Sequence, residues 1–189
     1  MRKVTAAGLA ICCAILLAGC SGSTPANNSD TGYISGDGST VLVSPEDRGE
    51  AISLAGETLD GKSLDIKDWQ GSPVVVNLWA SWCGPCRSEA ADLEIVNQQF
   101  KDKNVKFLGL NTRDGLAAAR AFTARFKTSY PSIQDKDGQL TLAFGNLGPA
   151  ATPSTIILDS KGRVAARILG PTTESELRVV LDAVIESDN

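Results

Sequence analysis

Pro73-Val74-Val75-Val76-Asn77-Leu78-Trp79-Ala80-Ser81-Trp82-Cys83-Gly84-Pro85-Cys86 is the stretch on which the fold turns. From Val74 to Trp79 the residues are apolar apart from Asn77, without the alternation of a half-exposed strand. The run therefore predicts a strand buried on both faces, at the centre of a sheet and opened by Pro73. Beyond the cysteines, Ala90, Leu93, Val96 and Phe100 recur at helical spacing. This gives a strand-to-helix unit with both cysteines at the helix start. Val105 to Leu110 reads as the next strand, completing a right-handed crossover between parallel neighbours.

Working outward, Leu116, Ala119, Phe122 and Phe126 predict a second helix, with Asp114 as its N-cap. A shorter helical piece is expected at Leu140 to Phe144. Thr155 to Leu158 and Val164 to Leu169, separated by Asp159-Ser160-Lys161-Gly162-Arg163, predict a hairpin. The capping box Thr173-Glu174-Ser175-Glu176 starts a last helix that should bury Leu177, Val180, Leu181 and Val184. Toward the N-terminus, Thr40 to Val43 and Ala51 to Leu54 read as extended, and Leu59-Asp60-Gly61-Lys62 as a turn. The expected class is α/β: a central mixed β-sheet flanked by helices, with an N-terminal β extension.

The chain has 189 residues, 42% hydrophobic and 21% charged, which fits one globular domain with short extra segments. Its formal net charge of −4, more negative once Arg2 and Lys3 leave with a leader, argues against nucleic acid as a partner. Histidine is absent, which excludes Ser-His and Cys-His catalysis and every His-based metal site within this chain. Proton transfer is left to carboxylates, water or thiols.

Arg2 and Lys3, the apolar run Val4 to Leu17 and then Leu17-Ala18-Gly19-Cys20 have the layout of a targeting segment, too short to span a bilayer comfortably. An ordinary secretory signal cut after a small residue is one reading. The other follows from the resemblance of these residues to the lipobox of bacterial lipoproteins, which implies lipidation of Cys20 as the mature N-terminus. Ser21 to Gly32 is all Ser, Gly, Thr, Pro, Asn or Asp apart from Ala26, a composition expected of a tether. The expected organisation is a signal peptide at 1–19, a lipidated N-terminus and flexible linker at 20–45, and the domain at 46–189. Cys12 and Cys13 then leave with the leader, and Cys83 and Cys86 remain as a single close pair, which chemistry explains better than stapling.

Two cysteines separated by two residues at a helix start can close a small ring with little backbone movement, and Pro85 stiffens the turn. Unpaired N–H groups and the positive end of the helix dipole favour a Cys83 thiolate, whose pKa should fall below the ~8.5 of a free thiol. Cys83 is expected to be the exposed attacking thiol, with Cys86, further in, resolving the mixed disulfide. Half of a zinc site, or a Cu(I) site of two thiolates, is the competing reading of such a pair. Closing a zinc site needs two more ligands, from carboxylates or another chain.

The sequence resembles the thioredoxin superfamily through Trp82-Cys83-Gly84-Pro85-Cys86. It is more narrowly similar to the TlpA/ResA-like exported thiol-disulfide oxidoreductases, through Val76 to Glu89, Leu108-Gly109-Leu110-Asn111-Thr112-Arg113-Asp114 and Thr152-Pro153-Ser154-Thr155. It also resembles actinobacterial lipoproteins of the CcsX type, assigned to system II cytochrome c maturation. The resemblance spans about residues 50 to 189 and implies a thioredoxin-like fold with a redox-active Cys83–Cys86 disulfide and no cofactor. It also implies that Pro153 is a cis-proline packed on the redox pair, leaving the Thr152 backbone open to an incoming peptide; a trans proline opening the next strand is the plain alternative. By the same resemblance Trp82 offers substrate an apolar contact, or simply packs, while Trp79 belongs to the core. Glu89 would tune the thiols, the alternative being a solvated helix glutamate. Asn77 stands where cytoplasmic thioredoxins carry a buried aspartate, so their proton route does not carry over. Arg113 and Asp114 read mostly as loop and cap residues, a partner-facing role being the alternative.

The Gly-Pro spacer is that of reducing thioredoxins, so electrons are expected to flow outward to substrate. The resemblance then implies a CcdA-type membrane electron donor and, as substrate, the disulfide of an apocytochrome c Cys-x-x-Cys-His motif. A broader oxidoreductase acting on other exported disulfide proteins, a thiol peroxidase, or a non-enzymatic metal-binding lipoprotein are the alternatives.

Overall fold

In the computed structural model, residues 39–149 and 151–188 are described. Strand β1 spans Thr40–Leu42, β2 Ala55–Glu57 and β3 Ser63–Asp65, followed by a 3₁₀ turn at Ile66–Trp69. Then come β4 at Val74–Trp79, α1 at Gly84–Phe100, β5 at Lys106–Thr112, α2 at Leu116–Phe126 and β6 at Ser132–Asp135. A kinked 3₁₀ segment at Leu140–Leu147 leads to β7 at Ser154–Leu158, β8 at Val164–Leu169 and α3 at Glu174–Asp188. Six strands form one sheet in the order β1-β8-β7-β4-β5-β6, and β2 and β3 form a separate hairpin.

Every residue of β4 is buried, as its sequence requires of a central strand. It runs parallel to β5, with Val76 opposite Leu108, and antiparallel to β7, with Val76 opposite Ile156. The period of two sorts its side chains. Val75 joins Leu93 and Val96 of α1, Phe107, Ile157 and Leu177, Val180 and Leu181 of α3 in one core layer. Val74, Val76 and Leu78 point the other way, onto Leu54, Ile66, Ile133 and Phe144. That second face is closed by the N-terminal segment and the 140–147 turn rather than by a long helix. Fully burying an aliphatic side chain contributes about 1.5–3 kcal/mol, so the two layers carry most of the fold's stability. A third cluster, at the C-terminal end of β4, gathers Trp79, Cys83, Cys86, Ala90, Ala119 and Phe122.

Strand directions give the sheet two unlike ends. β4 points toward the cysteines, and Ser154 of β7 and Leu169 of β8 lie at that same end. β1 is antiparallel to β8, and Ser39 accepts a hydrogen bond from the Leu169 N–H, so the chain enters the domain at the cysteine end. α3 then runs back, and Asp188 meets the Ser160 N–H in the β7–β8 turn at the far end. There Asp159, buried in that turn, pairs with Arg48 at 3.2 Å and Arg163 at 2.7 Å.

Several expectations need correction. The sheet begins at Thr40, so residues 40–45 belong to the domain and not to a linker ending at 45. Ala51 to Leu54 is not a strand; the extended residues are Ala55–Glu57, paired with Ser63–Asp65 across the turn that holds Gly61 at φ +80°. The capping box is half made. Thr173 accepts from the Glu176 N–H at 3.3 Å, but the Glu176 carboxylate takes the Thr40 and Thr172 hydroxyls instead of reaching back. The parallel edge strand β6 was not foreseen. Residues 1–19 and Cys20 lie outside the described residues.

Candidate active site

Cys83 occupies the N-cap of α1 in extended conformation, Gly84 and Pro85 form the first turn, and Cys86 follows within it. The sulfurs are bonded, with Cα atoms 5.3 Å apart. The Cys86 N–H donates to Cys83 Sγ at 3.2 Å, so the sulfur occupies the place of a capping oxygen and takes one of the helix's orphan donors. A thiolate there has that donor and the helix dipole to stabilise it, whereas Cys86 Sγ has no such donor. Both cysteines are nearly closed off in the disulfide, Cys83 at 4% exposure and Cys86 at 2%. The expected exposed first thiol is thus only a rim. What stands out is Trp82, 59% exposed, its indole N–H donating to the Arg113 carbonyl at 3.1 Å.

Arg113 follows β5 at φ +50°, a left-handed turn that aims its carbonyl at Trp82. The next residue is not the expected helix cap. Gly115 takes that position, and Asp114 instead braces the redox loop, accepting from the Ser81 N–H at 2.6 Å, the Ser81 hydroxyl at 2.8 Å and Asn111 Nδ2 at 3.0 Å. Burial works against its charge, but these bonds outweigh it and hold its carboxyl below the usual range. Sequence reading missed this role, because Asp before a helix is the commonest capping signal. On the other side of the loop, Arg87 Nη2 donates to the Ser81 carbonyl at 2.7 Å.

Glu89 is not a solvated helix residue. It is 1% exposed and faces the sheet, accepting from Asn77 Nδ2 and from the Thr172 N–H, both at 2.9 Å. Asn77 also reaches the Thr155 hydroxyl, tying α1, β4 and β7 together through one buried amide. Burial pushes the Glu89 pKa from 4.5 up to about 7, and the Asp92 charge adds to the rise, while the Thr172 and Asn77 bonds hold it back. A carboxyl three residues beyond Cys86 on α1 therefore changes protonation near neutrality.

The Thr152–Pro153 peptide is cis and Pro153 is buried. Pro153 accepts from the Gly170 N–H, whereas Thr152 makes no hydrogen bond among the described residues. Thr152, Trp82, Arg113 and Leu78 line a cleft of about 370 Å³. No group of three metal-ligating side chains lies among the described residues.

The Redoxin profile matches residues 44–184. The chain belongs to the Redoxin family. This redoxin is 27% identical over 135 residues to "Thiol-disulfide oxidoreductase ResA" of Bacillus thuringiensis subsp. konkukian, covering 71% of this chain and 76% of that protein. Among solved structures, a DsbF homologue from Corynebacterium diphtheriae superposes with TM-score 0.73 at 30% identity, over 81% of this chain and 98% of that one. A secreted thiol-disulfide isomerase from Corynebacterium glutamicum gives TM-score 0.74 at 29% identity, over 83% of this chain and 97% of that one. The fold is thioredoxin-like, and the redoxin is a thiol-disulfide oxidoreductase.

In its reduced form the chemistry is a two-electron exchange. This geometry equips the Cys83 thiolate to attack one sulfur of a partner disulfide, forming a mixed disulfide and expelling the other sulfur as thiolate. Cys86, after losing its proton, is placed to attack Cys83 Sγ, closing the internal bond and releasing the partner's second thiol.

Proposed function

We propose that this redoxin reduces the disulfide of apocytochrome c Cys-x-x-Cys-His motifs on the outer side of the cell membrane, before haem attachment. In this reading it is anchored by lipid at Cys20 and re-reduced by a CcdA-type membrane protein. The observation that carries the proposal is the lone Cys83–Cys86 pair with a Gly-Pro spacer, in a chain related to ResA. A second reading, broad exchange with many exported proteins, is favoured by the kinship with the corynebacterial secreted isomerase.

Replacing Cys86 by Ser removes the resolving thiol and leaves the attacking one, so mixed disulfides with true substrates should accumulate. Partners released by reductant and identified by mass spectrometry should carry Cys-x-x-Cys-His motifs, and cells lacking the protein should lose haem-staining cytochrome c. Normal holocytochrome in those cells, with trapped partners lacking the motif, would transfer the assignment to the broad reading. An unmodified Cys20 in membrane-fraction mass spectrometry would remove the anchor.

A further inference from the structure

We infer that the flanks of the redox loop form a cationic docking surface for an acidic segment of the partner protein. This rests on the disulfide exchange proposed above and adds the charge of the substrate to it. Two hollows adjoin the loop. One, of about 370 Å³, holds Arg113 beside Trp82 and Thr152. The other, of about 430 Å³, lies between α1 and α2 and holds Arg87 and Arg125 with Ser81 and Phe126. Neither is lined by a carboxylate among the described residues.

All three arginines are exposed, and none forms an ion pair among the described residues. Arg87 spends one N–H on the Ser81 carbonyl, and Arg125 lies over the Phe126 ring at 5.8 Å, which pre-orients both guanidinium groups. Arg113 uses its backbone on Asp135 and Trp82, and its guanidinium has no hydrogen-bond partner among the described residues. Of the acids near the loop, Asp114 is committed to Ser81, Asn111 and Gly115, Asp135 is buried, and Asp137 is exposed beside Gly138 but lines neither hollow. Glu89 is turned inward. In a chain of net charge −4, three guanidiniums without an ion pair among the described residues flank the redox loop. Guanidinium forks bind carboxylates bidentately, and charges at the edge of a docking site act mainly on encounter rate and partner choice. The hollows suit side chains on either side of a cysteine, with Thr152 lining the first of them, better than they suit a flat bilayer surface.

The test uses the reduced protein and three peptides, each with one internal disulfide flanked by Glu, Gln or Lys, followed by stopped-flow Trp82 fluorescence. At about 0.02 M ionic strength the Glu peptide should react at least tenfold faster than the Lys peptide, and the gap should shrink severalfold at about 0.5 M. Arg125→Gln and Arg113→Gln should each narrow the gap, and the double variant should nearly abolish it. Equal rates for all three peptides would overturn the docking surface while leaving disulfide exchange standing; failure to react with any would take both down. Sedimentation with phosphatidylglycerol vesicles, abolished by the double variant while the peptide rates stay equal, would reassign the arginines to lipid.

Discussion

Glu89 is pulled two ways by its surroundings. Two N–H donors, from Asn77 and Thr172, suit the carboxylate, yet withdrawal from water favours the neutral acid, and withdrawal wins. A pKa raised from 4.5 to about 7 means that the folded chain binds more protons than the unfolded chain between those values. The stability it contributes is therefore complete below pH 4.5 and is lost as pH rises through about 7, by on the order of 3 kcal/mol. Denaturant titrations at pH 5 and pH 8 should show this slope, and Glu89→Gln should flatten it. A wild-type stability that rises over this interval, with no difference in the variant, would show that Glu89 does not titrate there. Asp114 acts in the opposite sense: its hydrogen bonds are strongest to the charged form and weaken as pH falls below its usual range. Asp114→Ala should free the Ser81–Trp82 loop, seen as faster Trp82 depolarisation, and slow Cys83 exchange.

At the scale of elements, the first turn of α1 sets the roles of the two sulfurs. Because the Cys86 N–H is aimed at Cys83 Sγ, iodoacetamide should modify Cys83 first in the reduced protein, with an apparent pKa below ~8.5. Faster labelling of Cys86 would reverse the roles. At the start of α3, Thr173→Ala should cost about 1 kcal/mol by removing the cap on Glu176 N–H, measured as a shift in denaturation midpoint. These elements were legible because each carries its own periodicity: continuous for β4, helical for α1 and α3, paired across Asp159 to Arg163 for the hairpin. β6 was not. Ser132, Gln134 and Asp135 are polar, and the strand exists because the Gly109–Thr112 half of β5 offers it a ladder. That partnership was readable only in Gly109, where a Cβ would collide with Ser132 and the Trp79 indole. Likewise the burial of Glu89 depends on Thr172, 83 residues away, and no local pattern records such a contact.

At the scale of the molecule, the electron inventory decides direction. The Gly-Pro spacer predicts a potential nearer about −270 mV than the about −120 mV of strong exported oxidants, a separation of about 7 kcal/mol for two electrons. Equilibration with a glutathione buffer should place the Cys83–Cys86 couple below about −180 mV; a higher value would make it an oxidant or isomerase. Direction in space is set as well. Ser39 enters beside Leu169 at the sulfur end, while Asp188 closes the opposite end against Ser160. The domain is thus a compass needle whose entry point is its active pole. A tether at the proposed Cys20 anchor should hold the disulfide end, rather than the Asp188 end, within reach of a donor embedded in lipid. Transplanting the anchor to the C-terminus should invert the needle, slowing re-reduction by the membrane donor while leaving exchange with soluble peptides intact.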